Sequence, residues 1–194
     1  ILASQEKHDF WHISFASSFV WKKPITEVWP EDPRAFITYE EVKNWTPKNN
    51  GISPSAKFTL EQLQAYMKIR GTEVMWPDHA TPGYESEFIT WFDHTKLDEV
   101  FMKWDDIDEH TYSAFAAKDS DWTYLADYMR ERWIKRNFVS SLATDFCVKN
   151  TAIDSVKEEF KTYFIQALSR SVYPENEARE LEEMQDNGVI IIPA

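Results

Sequence analysis

Residues 138–165 read FVSSLATDFCVKNTAIDSVKEEFKTYFI, and the fold follows from how they group. Phe138 and Val139 begin a short apolar strand that ends near Leu142 and Ala143. A helix is predicted from about Phe146 to Glu159, and Tyr163, Phe164 and Ile165 form the next strand. Strands joined by a helix are parallel neighbours, and their crossover is right-handed. The alternation continues on both sides. Upstream, Asp121 can cap a helix in which Trp122, Leu125, Met129 and Trp133 recur at spacings of three and four. Arg130, Arg132, Lys135 and Arg136 sit favourably near its negative end. Downstream, Pro174 suits a first helical turn, Ala178 and Leu181 supply part of an apolar stripe, Gly188 ends the helix, and Val189 to Ile192 is a β-branched run. The order predicts an α/β fold: three layers, with a mostly parallel sheet covered by helices on both faces.

The earlier half is less regular. Ile1, Leu2 and Ala3, followed by Ser4, Gln5 and Glu6, read as a buried strand that delivers polar side chains at its end. From Trp21 to about residue 58, Pro24, Pro30, Pro33, Pro47 and Pro54 interrupt scattered aromatics that follow neither period. This segment is expected to be a surface insertion within a single domain covering residues 1–194. Thr59, Glu61, Leu63, Tyr66, Met67 and Ile69, stopping at Gly71, predict a capped helix. With 33 acidic and 21 basic residues the net charge is -12, which repels phosphate backbones and anionic membranes, so nucleic acid is not an expected partner. No apolar run approaches the roughly 20 residues of a membrane span, and a signal-peptide layout is missing from the first residues. One cysteine forbids an internal disulfide and points to a reducing compartment inside the cell, cytoplasm or mitochondrial matrix. Ile1 is not a translation start, so further residues are expected upstream.

In open α/β sheets the chemistry collects where strands end. Cys147 lies at such a strand-to-helix junction, where free amides and the positive helix end favour a thiolate and could hold an oxyanion; the competing reading is a small buried hydrophobe. Glu6, His8 and His12 follow one strand and His79 another, and a carboxylate-x-histidine pair with a distant histidine can hold a divalent ion such as zinc. The same residues also read as scattered or hydrogen-bonded histidines, or as His8 and His12 paired on one helical turn. Lys103 follows Val100, Phe101 and Met102 and would stabilise a thiolate, unless it is an exposed lysine beside Asp105 and Asp106. The run Asp105, Asp106, Asp108 and Glu109 reads as a solvated loop or a weak hard-cation site.

ATDFCVKNTAIDSVKEEFKTYFI at 143–165, HISFAS at 12–17, MWPDH at 75–79, TYSAF at 111–115 and Arg170 resemble the nicotinamidase and pyrazinamidase branch of the isochorismatase-like cysteine hydrolases, and the likeness runs from residue 1 to the C terminus. The resemblance implies a six-stranded sheet and a triad of aspartate, lysine and cysteine. Cys147 matches the nucleophile and Lys103 the lysine. Glu6, His8 and His79 match the ligands of a divalent metal, zinc by family habit, while His12 matches a histidine that is not a ligand. Trp76 and Phe146 match the aromatics that sandwich a pyridine ring. The amides of Ala143 and Cys147 match the oxyanion hole, with a cis peptide between Leu142 and Ala143. The implied activity, a step of NAD metabolism, is hydrolysis of the carboxamide of nicotinamide or a related small amide to the acid and ammonia, through a thioester.

The chain departs from this pattern in several places. No residue matches the triad aspartate, whose strand is expected upstream of Ile1; without it the proton steps would lose about 10²- to 10⁴-fold. Glu6 replaces an aspartate, which is expected to weaken the metal site. Trp104 and Ser141 stand at family glycines, and Ala80 replaces a cysteine. Residues 21 to about 58 would lid the pocket or offer a surface to a protein partner or a second copy. Two expectations follow: an active amidohydrolase, or a degenerate relative, a pseudoenzyme, serving as a structural subunit of a larger assembly.

Overall fold

The computed structural model describes residues 1–28, 31–83, 87–88, 92–104 and 112–194. In chain order its elements are β1 (Leu2–Lys7), β2 (Phe36–Thr38), α1 (Tyr39–Val42), α2 (Leu60–Arg70), β3 (Thr72–Val74), β4 (Glu99–Trp104), α3 (Leu125–Glu131), β5 (Arg136–Leu142), α4 (Lys149–Lys157), β6 (Lys161–Arg170), α5 (Glu177–Asp186) and β7 (Ile190–Ile192). The chain divides into two compact units. The first contains Ile1–Gln5, Asp93–Trp104 and the described residues from 112 onward; the second contains the described residues of Glu6–Phe92.

In the first unit β5, β6 and β7 form a parallel sheet in that order, and the crossovers that parallel pairing requires are α4 and α5. The class is α/β. Val139, Phe164 and Val189 meet Val148, Ala152, Ile153 and Met184 in one apolar layer. Full burial of Phe164 and Met184 contributes roughly 1.5–3 kcal/mol each. β4 pairs with β1, and around Phe101 a second layer gathers Ala117, Leu125, Tyr128, Met129 and Phe160. The register of β5 on β6 shifts between Val139 and Ser141, and Ser141 takes φ 135°, a conformation that favours glycine.

Three expectations for this unit need correction. The helix predicted from Asp121 starts only at Leu125, because the Asp119 carboxylate takes the amides of Asp121 and Thr123 and holds those residues in a turn. Trp122 therefore falls outside α3, and Trp133 lies beyond its end at Glu131; both are at positive φ and are 68% and 81% exposed, while Leu125 and Met129 are buried as predicted. The second difference is in α5, where Ala178 is exposed and the buried positions are Glu180 and Met184. Glu180 is tolerated there because Lys149 and Arg179 both bond to it. Third, β6 runs well past Ile165, to Arg170.

The second unit pairs β2 antiparallel with β3, Phe36 opposite Val74. Capping at α2 follows expectation: the Thr59 hydroxyl accepts the Gln62 amide, the Gln62 side chain accepts the Thr59 amide, and Gly71 at φ 73° ends the helix. Residues 21 to 58 are more than a surface excursion. They supply β2 and α1 and place Ile37, Val42 and Phe58 in a core with Ile13, Leu63, Met67 and Met75. Trp21 lies against Gly51, where a β carbon would overlap the indole nitrogen. No helix among the described residues is long and apolar enough to cross a membrane.

Candidate active site

Among the described residues, each unit carries a group of chemically capable side chains. In the first unit, Cys147 sits in the wide turn Thr144–Val148 that follows β5, closed by the Val148 amide reaching back five residues to the Ala143 carbonyl at 3.1 Å. Turns of this i to i+5 type are rare and concentrate at functional sites. The Phe146 amide bonds the same carbonyl at 3.1 Å, and the peptide between Leu142 and Ala143 is cis. Lys103, near the end of β4, is buried; its ammonium donates to the Cys147 sulfur at 3.3 Å and to the Tyr112 carbonyl at 3.4 Å. A buried cation at that distance stabilises a thiolate over a thiol. The reading of Lys103 as an exposed surface lysine is thereby set aside.

Phe146 stands between two tyrosines, with ring centroids 5.3 Å from Tyr112 and 6.2 Å from Tyr173. Neither tyrosine was singled out from the sequence, and neither was Asp145, whose carboxylate accepts the amides of Val172 and Tyr173. The only sequence signal for Asp145 is its type: an acidic residue in a turn beside a candidate nucleophile. The Tyr173 phenol is pushed up to about 12 by burial, reinforced by the charge of Asp145. Arg170 turns back on its own strand, donating to the carbonyls of Ala167 and Ser169.

In the second unit Glu6 reaches two histidines. One oxygen is 3.6 Å from His8 Nε2, the other 3.8 Å from His79 Nε2, and the three ligand atoms lie within 4.8 Å of one another. The His79 Nδ1–H donates to the Pro77 carbonyl at 2.8 Å, which leaves Nε2 as the lone-pair nitrogen on the side of Glu6. The His8 amide bonds the Ala80 carbonyl at 3.0 Å and so ties the segment after β1 to the segment after β3. Two imidazoles and a carboxylate, with the His79 tautomer set by Pro77, could hold a divalent ion. His8 and His12 do not share a helical turn, since the chain after β1 is turn and loop; their rings are nevertheless 4.7 Å apart. His12 Nδ1 accepts the Ser14 amide at 3.2 Å and lies 2.8 Å from its hydroxyl. Trp76 sits with its ring 6.2 Å from that of His79. Asp105, Asp106, Asp108 and Glu109 lie outside the described residues.

The family model described as the isochorismatase domain matches residues 64–194, which include Lys103, Cys147 and His79. The chain belongs to the isochorismatase family. This isochorismatase-family chain is 30% identical over 132 residues to the nicotinamidase of Acinetobacter baylyi, covering 67% of the chain and 62% of that protein. To the nicotinamidase/pyrazinamidase of Mycobacterium tuberculosis it is 31% identical over 120 residues, 60% of the chain and 62% of that protein. The solved structure of the nicotinamidase and pyrazinamidase of Acinetobacter baumanii superposes with a TM-score of 0.63 at 25% identity, over 99% of this chain and 76% of that one. These similarities place the isochorismatase-family chain on the nicotinamidase/pyrazinamidase branch. The chain spans about 62% of the length of the two curated relatives.

Proposed function

We propose that this chain is a cysteine amidohydrolase acting on nicotinamide or a closely related small carboxamide. The observation that carries the reading is the ammonium of Lys103 held 3.3 Å from the Cys147 sulfur at the ends of two strands. An amide is a poor electrophile, so its hydrolysis needs a strong nucleophile and donors for the oxyanion. The Cys147 thiolate attacks the carboxamide carbon and the amides of Ala143 and Cys147 receive the oxyanion. The departing nitrogen takes a proton from the Lys103 ammonium and leaves as ammonia, the thioester remains, and its hydrolysis by water gives the acid and returns a proton to the lysine–cysteine pair. Phe146 is the candidate to offer a face to the substrate ring, and Trp76, beside His79, is an aromatic candidate carried by the family resemblance alone. Glu6, His8 and His79 would hold the divalent ion, which when bound supplies Lewis-acid polarisation. The single thiol supports a reducing compartment as the working environment.

The structural-subunit alternative draws less support. It needs residues 21 to 58 to bury against another chain, yet among the described residues of that segment Trp21 is the large apolar side chain left exposed, and Ile37, Val42 and Phe58 are spent in the unit's own core. Ammonia release from nicotinamide and pyrazinamide by purified protein tests the proposal. Turnover that disappears in Cys147→Ala is the expected result; no release above that control from either amide overturns it.

A further inference from the structure

Asp145 occupies the second position of the nucleophile turn and is almost fully buried, yet no step of the thioester scheme uses it. Both of its oxygens are engaged by residues far along the chain. Oδ1 accepts the Val172 amide at 3.0 Å and Oδ2 the Tyr173 amide at 2.9 Å. Bonds to a carboxylate are among the strong ones, and two of them offset the burial of its charge. The segment they capture lies between β6 and the turn Pro174–Asn176 and touches the nucleophile turn a second time, through the ring of Tyr173 against Phe146.

The turn itself needs such support. The wide turn is held by i to i+5 bonds from the Val148 and Lys149 amides to the Ala143 and Thr144 carbonyls, a geometry uncommon in helices, and the aim of Phe146 and Cys147 on it also depends on what lies against the turn. Lys103 lies on the sulfur, and Asp145 holds the Val172–Tyr173 segment to the same turn. We propose that Asp145 is a positioning residue, clasping Val172 and Tyr173 to the turn so that the Cys147 sulfur stays aimed at the Lys103 ammonium. The inference rests on reading Cys147 as the nucleophile.

Two other roles make different predictions. A carboxylate that acts only as a like charge near the sulfur would, once neutralised, leave more thiolate and speed its reactions. A carboxylate that merely glues the fold would alter stability and leave the sulfur of the folded protein unchanged. Asp145→Asn separates these, because an amide cannot accept both N–H groups: its NH₂ faces a donor. Val172→Pro removes one of the two donors and leaves the carboxylate in place.

The test uses the full chain and two readouts, with folding checked by circular dichroism. The first is the rate at which iodoacetamide alkylates the single cysteine at about neutral pH, which needs no amide substrate. Positioning predicts that folded Asp145→Asn alkylates about tenfold more slowly than the parent, with Val172→Pro changed in the same direction. The second is turnover of nicotinamide, where kcat is expected to fall about 10²-fold with KM nearly unchanged, and Asp145→Glu, which keeps both acceptors, to recover part of it. Alkylation at or above the parental rate in a folded variant overturns the proposal, and so does failure of both variants to fold, which would assign a structural role alone. If the parent hydrolyses no amide, alkylation still decides the clasp. If the parent is active and alkylation is unmoved, the hydrolase stands and the clasp falls.

Discussion

The ammonium of Lys103 lies 3.3 Å from the sulfur of Cys147 across 44 positions of sequence, and the same nitrogen is tethered to the Tyr112 carbonyl. A cation held by two contacts in a buried place cannot drift away from the sulfur as a surface lysine would. Lys103→Met keeps the hydrocarbon stem and deletes the charge. Alkylation of Cys147 is expected to slow by about tenfold and ammonia release by about 10²-fold or more. Parental alkylation kinetics in the folded variant would show that the contact does not stabilise the thiolate.

Metal binding is addressed by equilibrium dialysis against zinc. His8→Ala and His79→Ala should each weaken binding by about 10²-fold or more, and Glu6→Gln by a smaller factor. His12→Ala should stay within a few-fold of the parent, since its Nδ1 accepts from Ser14. Equal losses at all four positions would mean that the histidine cluster supports the fold and does not select an ion.

Glu180 predicts a pH dependence. Burial works to raise its carboxyl, but the bonds from Lys149 and Arg179 outweigh that and hold it below the ordinary value. A depressed carboxyl stabilises the fold fully above the unfolded-state value, and the contribution disappears as pH falls through the folded-state value. Glu180→Gln is therefore expected to lose about 1–2 kcal/mol at neutral pH, since Lys149 keeps Glu183 and Arg179 is exposed, read by urea unfolding, with the gap to the parent closing in acid below the ordinary carboxylate range. A gap that widens in acid would contradict the assignment.

Ser141 carries its side chain at φ 135° beside the register shift of β5. Replacing it with glycine relieves that conformation, and Ser141→Gly should gain about 1 kcal/mol in urea unfolding. Its amide bond to the Ser169 hydroxyl belongs to the backbone and survives the change. A loss of stability would show that the serine side chain is held by favourable contacts.

Features that depend on neighbours in sequence were legible and those that depend on distant ones were not. The capping box at Thr59 and the glycine after α2 act within one turn, so the helix could be read from its own residues. At α3 the same reasoning chose Asp121, but Asp119 had already captured the intervening amides. β2 and α1 are too short to show a period, which hid them among the prolines. The strand-end positions of Cys147 and Lys103 were visible as pattern. The clasp from Asp145 to Val172 and Tyr173 joins a side chain to backbone 27 and 28 positions away and leaves no periodic trace.

The fit of Trp21 against Gly51 makes these two positions a single unit in mutational terms. A methyl group at 51 should be damaging beside the indole and nearly harmless beside a small residue at 21, so the double change would unfold with less loss than the sum of its parts. The proline-rich segment is thus tied to the rest of its unit by a steric coupling, and drift at one of these sites constrains what the other can become.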